Sequence, residues 1–273
     1  MATDQAIHAG VPSGGSSAIE PGQIAAWDSA FRDSLPEEIL AWAVGRYAPA
    51  VALSCSFGGP SGMVILDMLA ERSLLDKVTV YYLDTGLLFP EAHELRERAE
   101  RRYGIRVVAW RPALSLEEQA DQLGPALWER NPDLCCYTRK VLPNAAALRG
   151  IRCWIAGLRK DQFAARSEIL TVSWSESFDL LKVNPLAGWT EADIWGYVRQ
   201  RDVPYNALHD DGYPSIGCTV CTARPAPGAD PRSGRWRGFA KTECGIHLGP
   251  VGFKRPAADS DDKSVTVIQA GDR

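Results

Sequence analysis

No stretch of this chain approaches the ~18 to 20 consecutive apolar residues that a bilayer-crossing helix needs, which excludes a membrane protein of that kind. The opening residues, MATDQAIHAGVPSGGSSAIEPGQ, lack the basic-then-apolar pattern of a secretory signal, so a cytoplasmic protein is expected. Positive charge is not in surplus: 30 Lys and Arg stand against 34 Asp and Glu, for a net charge of -4. That balance excludes a global field gathering nucleic acid, and any anion site must be local. The seven cysteines are an odd set, and in a reducing compartment metal binding or catalysis is favoured over a disulfide framework.

What is present suits one large α/β domain. With 45% hydrophobic and 23% charged residues over 273 positions, a substantial core can be buried. Residues 1–22 are rich in Ala, Gly, Ser and Pro without periodicity and predict a disordered arm, and 249–273 predict a disordered tail in which SVTVIQ could make a short strand. Between them, 23–240 form the expected domain, followed by a mobile segment at 241–248. No internal repeat is visible.

Within the domain, short β-type runs alternate with helical periods. Strands are expected at 51–57, 77–84, 105–110, 151–157 and 180–186. Helices are expected from about Ser61, then along Ala92, Leu95, Ala99 and Tyr103 to a stop at Gly104, and after a capping box at Thr190 and Asp193. This alternation predicts a mostly parallel, twisted sheet with helices on both faces. Ligands of such sheets bind beyond the carboxyl ends of the strands.

Two candidate segments lie there. Ser56, Gly58, Gly59, Ser61 and Gly62 make a small-residue loop opening a helix, where backbone N–H groups can face a phosphate. The loop has neither a P-loop lysine nor Rossmann spacing, and Pro60 removes one N–H donor; a plain strand-to-helix turn is the bland alternative. Asp84, Thr85 and Gly86 after the second strand suit either a sugar or base contact or a helix cap.

The cysteines fall into distinct groups. Cys135 and Cys136 are adjacent, and Cys218 and Cys221 form a CxxC; four thiolates from two pairs could hold zinc or an iron–sulfur cluster. Neighbouring Cα atoms ~3.8 Å apart suit ligands of different irons better than two ligands of one ion. Cys55 and Cys153 are expected in the core. Cys244, in KTECGIHL, stands where exposure and mobility are expected, with Arg235, Arg237, Lys241 and His247 near in sequence; an activated thiolate and an inert thiol are both open. Basic residues cluster at Arg139 and Lys140, at Arg159, Lys160 and Arg166, and at Arg232, Arg235 and Arg237, which suits phosphate or sulfate oxygens.

Taken in order, SFGGPSG, LDTG, CCYTRK, GLRKDQFAAR, GCTVC and KTECGIHL resemble the assimilatory sulfonucleotide reductases, specifically the iron–sulfur adenylyl-sulfate (APS) reductases that use thioredoxin. The resemblance implies an adenine nucleotide α-hydrolase-like fold of PP-loop type. It implies substrate binding by Ser56, Gly58, Gly59, Ser61, Leu83, Asp84, Thr85, Gly86, Lys140, Arg159, Arg166, Arg232, Arg235 and His247. It further implies one 4Fe-4S cluster per chain on Cys135, Cys136, Cys218 and Cys221, with Lys140 between cluster and substrate, and Cys244 as the nucleophile. The implied partners are APS and thioredoxin or glutaredoxin, with no nucleic acid and no membrane; the oligomeric state, including a homo-oligomer, stays open. Phe163 departs from the small polar residue more usual in the family. Competing readings are a reductase of the 3'-phosphorylated nucleotide PAPS, a zinc-stabilised nucleotide- or RNA-binding module, and an ATP-pyrophosphatase-type enzyme.

Overall fold

The computed structural model describes residues 21–247. The expected arm lies outside them except for its last two residues, which begin helix α1 (Pro21–Phe31). The expected 249–273 tail, with its SVTVIQ strand, lies outside them as well. Helix α2 (Pro36–Tyr47) leads into β1 (Val51–Ser54), and α3 (Pro60–Glu71) follows the small-residue loop. Next come β2 (Thr79–Leu83), α4 (Pro90–Tyr103) and β3 (Val108–Trp110). As expected, α4 stops at Gly104, whose φ of 64° is open to glycine at little steric cost.

Helices α5 (Leu116–Leu123) and α6 (Leu127–Arg130) precede a continuous helical stretch that carries the vicinal cysteines. It starts as α7 (Pro132–Cys136), widens to a π-turn at Tyr137–Val141 and resumes as α8 (Leu142–Ala147). Pro143 has no N–H and its ring crowds the carbonyl four residues back, so a widened turn just before it relieves the helix. β4 (Cys153–Ala156), β5 (Val172–Ser175), β6 (Leu180–Val183) and α9 (Glu191–Arg201) complete the layers. The Thr190 hydroxyl accepts from the Asp193 N–H at 3.2 Å, and the Asp193 carboxylate accepts from the Thr190 N–H at 2.8 Å, which is the expected capping box.

The six strands run β3-β2-β1-β4-β6-β5, all parallel except the edge strand β5, which is antiparallel to β6. Sequence reading missed β5 because its four residues, VSWS, carry little apolar signal. Alternation along the strands separates two cores. Val51, Leu53, Cys153 and Ile155 face one with α2, α3, α4 and α9; Ala52, Trp154 and Ala156 face the other with Ala147 and Leu148. Cys55 and Cys153 are buried core residues, as expected. Among the described residues no helix is long and apolar enough to cross a membrane.

Candidate active site

A cleft of about 550 Å³ opens beyond the carboxyl ends of the central strands. Its first wall is the β1–α3 loop. Phe57 holds a φ of 53°, unfavourable for an aromatic residue. Asn206 Nδ2 donates to the Phe57 carbonyl at 2.9 Å, and a ring nitrogen of His209 lies 3.0 Å from the Gly58 carbonyl, so the loop is braced from the 206–209 turn. Pro60 sits at the first position of α3, where its fixed φ is already helical and the helix itself needs no N–H. A Cβ on Gly157 would lie 2.9 Å from the Ser61 side chain, so the β4 end can approach α3 this closely only through glycine.

Arginines line the opposite side. Arg159 is buried; its guanidinium donates to Ser61 Oγ at 2.7 Å and pairs with Asp161 at 2.9 Å. Arg166 donates to Glu243 Oε1 at 2.7 Å and to Gln162. Arg232 donates to the Thr242 carbonyl at 2.6 Å, and Arg235 donates to Ser215 Oγ at 3.1 Å and to the Cys221 carbonyl at 3.3 Å. Phe163, the departure noted in the sequence, lies under two of them: the Arg166 and Arg232 guanidinium carbons are 4.9 and 4.3 Å from its ring centroid. Burial lowers the Arg232 pKa, with Arg235 adding to the fall. The fold thus crowds cations where an anion would relieve their repulsion.

Cys244 lines this same cleft. Exposure was expected for it, but the thiol is half-buried. The ion pair of Glu243 with Arg166, the bond from Arg232 to the Thr242 carbonyl and the pairing of Lys241 with Asp133 hold its segment down. Arg237, proposed from sequence as a neighbour, is exposed.

Behind the cleft stand the other four thiols. Burial pushes Cys135 up to about 11, with Cys218 and Cys221 adding to the rise. Burial pushes Cys136 up to about 12; Lys140 pulls it back, and Cys244 and Cys218 oppose that pull. Burial also raises Cys221, with Cys218 next. For Lys140 burial disfavours the charge, yet Cys218, Cys244 and Cys136 together hold its pKa above the ordinary lysine value. These mutual influences follow from the vicinal pair, the CxxC and Cys244 lying near one another and near Lys140. Both segments are tied to the loop after β2: Thr219 N–H donates to the Leu87 carbonyl at 2.8 Å, the Thr85 hydroxyl lies 3.4 Å from Cys218 Sγ, and Arg139 donates to the Thr85 carbonyl at 2.6 Å. Among the described residues no three Cys, His, Asp or Glu side chains are drawn together as a single-ion metal site. The donor set is all-thiol with a lysine beside it, the ligand chemistry that thiolate-bound metals require.

Of the residues expected from sequence to bind substrate, Ser56, Gly58, Gly59, Ser61, Leu83, Thr85, Lys140, Arg159, Arg166, Arg232, Arg235 and His247 line the cleft. Asp84 and Gly86 do not: the Asp84 carboxylate accepts from the Gly86 N–H at 3.3 Å and pairs with Arg111 at 3.0 Å, closing its own turn, and α4 starts after Phe89 without a side-chain cap, so the helix-cap alternative is not met either. Arg139, grouped with Lys140 by sequence, turns away to donate to the Thr85 carbonyl at 2.6 Å and Gln119 Oε1 at 3.1 Å. Asn206, His209, Ser215 and Glu243 shape the cleft and carried no readable signal, being single polar residues without a spacing pattern.

A glycine-rich loop at a parallel-sheet switch, an arginine wall and a thiol on a late segment define an α/β nucleotide-binding enzyme with sulfur chemistry. The profile of the phosphoadenosine phosphosulfate reductase domain matches residues 50–224, and the chain belongs to that family. Among its relatives, the adenosine 5'-phosphosulfate reductase of Salinibacter ruber is 44% identical over 230 residues, covering 84% of this chain and 90% of that protein. The adenosine 5'-phosphosulfate reductase of Geobacillus sp. is 42% identical over 231 residues, 81% of this chain and 97% of that protein. The crystal structure of phosphoadenylyl-sulfate (PAPS) reductase from Candida auris, a phosphate complex, is similar with a TM-score of 0.68 and 31% identity, over 77% of this chain and 100% of that one.

Proposed function

We propose that the protein reduces adenosine 5'-phosphosulfate to sulfite and AMP with reduced thioredoxin, in assimilatory sulfate reduction. The observation that carries the reading is the position of Cys244 in one cleft with the β1–α3 loop, Lys140 and the four arginines. The Cys244 thiolate attacks the sulfate sulfur; the new bond is S–S, the bond broken joins that sulfur to the phosphate oxygen, and AMP leaves with the electron pair. Arg166, Arg232 and Arg235 stabilise the charge on the phosphate and sulfonate oxygens, and one fixed donor of this kind supplies about 3 kcal/mol. A thioredoxin thiolate then attacks Cys244 Sγ and sulfite leaves. The second thioredoxin thiol closes the disulfide and frees Cys244, so the dithiol provides both electrons; glutaredoxin could serve the same role.

The four-thiol group of Cys135, Cys136, Cys218 and Cys221 would hold a 4Fe-4S cluster. When bound, the cluster supplies negative charge and rigidity beside Lys140 rather than electrons. Lys140 is then placed to orient the sulfonate end of the substrate toward Cys244.

Intact-mass measurement after mixing with the nucleotide alone tests the reading: gain of one SO3 group, absent in Cys244→Ser, is expected, and no gain refutes it. Iron and sulfide analysis of anaerobically prepared protein tests the cluster, and a zinc-loaded, colourless protein would favour a structural metal site instead. The nucleotide is tested by comparing turnover of APS and PAPS, since a further Lys or Arg contact is all that a 3'-phosphate needs. Equal or better PAPS turnover would reassign the substrate.

A further inference from the structure

Lys182 is out of place by sequence. It lies in β6 between Leu181 and Val183, both fully buried, and is itself only 8% exposed. Its register partner across the parallel β4–β6 ladder is Trp154, which is fully buried. The two side chains therefore share the face of the sheet lined by Ala52, Tyr81, Ala156 and Leu180. An ammonium group on such a face is costly unless something offsets the lost hydration.

Two contacts do so. The Lys182 Nζ stands 4.6 Å from the Trp154 ring centroid, a cation–π geometry, and 3.2 Å from His247 Nδ1. The His247 ring in turn stacks on Trp154, with centroids 5.3 Å apart and planes 20° from parallel. Trp154 is itself fixed: its Nε1–H donates to Ser54 Oγ at 2.8 Å, and Phe178 packs edge-on at 5.6 Å. The socket is built into the sheet, and His247, three residues beyond Cys244, comes from the late segment that carries the thiol.

We propose that Lys182 and Trp154 form a latch for the His247 ring, making Lys182 a positioning residue that seats Cys244 over the substrate cleft. The proposal rests on Cys244 being the attacking thiol. The thiol-bearing segment is then pinned on both sides of Cys244, by Arg232 on Thr242 and Arg166 on Glu243 before it, and by the latch after it. The protonation states agree with this geometry. Burial, then Lys182 and Arg166, hold His247 well below its ordinary pKa, so its ring is neutral and Nδ1 can accept from the ammonium. The charged groups facing Lys182 itself are Arg166, which opposes its charge, and Glu243, which favours it.

The test uses the full-length, cluster-loaded protein and three variants: Lys182→Met, which keeps length and packing, His247→Ala, and the double variant. Alkylation of Cys244 by iodoacetamide, read by peptide mass without nucleotide, should quicken several-fold in each single variant, and the double variant should be no faster than the singles. The kcat for sulfite formation should fall several-fold while AMP affinity is kept, and Lys182→Arg should restore part of the loss. Parental alkylation rates in both single variants, or additive effects in the double variant, would overturn the latch. So would weakened AMP binding in Lys182→Met, which would make Lys182 a nucleotide contact instead. If Lys182→Met does not fold, His247→Ala alone decides by the same rates. Alkylation needs no turnover, so a chain that makes no sulfite still answers this question, and parental sulfite formation is unaffected by how it is answered.

Discussion

The Arg232 guanidinium lies 4.3 Å from the ring centroid of Phe163, and Arg166 lies 4.9 Å from the same ring. One aromatic side chain thus holds two cleft arginines, each of which also bonds the thiol-bearing segment. Two partly desolvated cation–π contacts are together worth about 1–2 kcal/mol. Phe163→Ser should therefore lower stability by about that amount and, by freeing both guanidiniums from their set positions, raise the KM for the sulfonucleotide. Calorimetric titration with AMP separates this from a folding defect.

Arg139 predicts the opposite pattern. Its buried guanidinium joins the Thr85 carbonyl, the Leu114 carbonyl and Gln119 across three segments. Arg139→Ala strands those acceptors and should cost about 2–4 kcal/mol of stability. Urea denaturation should register the loss, and cluster retention should fall with it because the same helix carries Cys135 and Cys136.

Asp67 ties three helices without touching the cleft lining. It is buried in α3 and accepts from Tyr103 of α4 at 2.9 Å and Tyr197 of α9 at 3.0 Å, with Arg201 at 3.8 Å. Asp67→Ala leaves both hydroxyls unpaired and should cost about 3 kcal/mol. Turnover per folded molecule at a temperature well below the midpoint should match the parent.

Lys182 links stability to pH in a defined window. Burial, with Arg166 adding to it and Glu243 opposing, lowers its pKa from 10.5 to about 8, and the His247 ring packs on it. Between those values the unfolded chain binds a proton that the folded protein has released, so this group makes stability rise with pH. Below about 8 both states are protonated and the folded state bears the whole penalty, about 3 kcal/mol. Lys182→Met should accordingly be more stable than the parent at pH 7 and lose that advantage between pH 8 and 10.5. Chemical denaturation of both proteins across the range reads the difference, and a constant difference would show that Lys182 does not titrate there. A variant that is more stable but slower would match a residue kept for positioning rather than for folding.

The mostly parallel sheet could be anticipated because short apolar runs at 51–57, 77–84, 105–110, 151–157 and 180–186 alternate with helical periods, and Thr190 and Gly104 mark helix ends chemically; the strand order β3-β2-β1-β4-β6-β5 could not. Cys135, Cys136, Cys218 and Cys221 stood out from spacing as two pairs, and in the fold their titrations influence one another. Other features were not legible. Arg139 and Lys140 are adjacent and chemically alike, yet the π-turn sends one to the Thr85 carbonyl and the other toward the thiols. Asp84 looked like a ligand residue and caps its own turn while pairing with Arg111. Phe163 looked like a departure from pattern and proved to be the surface on which two arginines rest.

Periodicity, turn residues and cysteine spacing are local properties, so the order of residues alone determined the sheet class, the loops that could meet an anion and the pairing of the thiols along the chain. Which groups share one cleft depends on contacts between segments up to a hundred residues or more apart, such as Arg159 on Ser61, Trp154 on Ser54 and His247 on Lys182. Only the tertiary structure decided those, because it sets which buried charge finds a partner and whether Cys244 hangs in solvent or is held over the arginines.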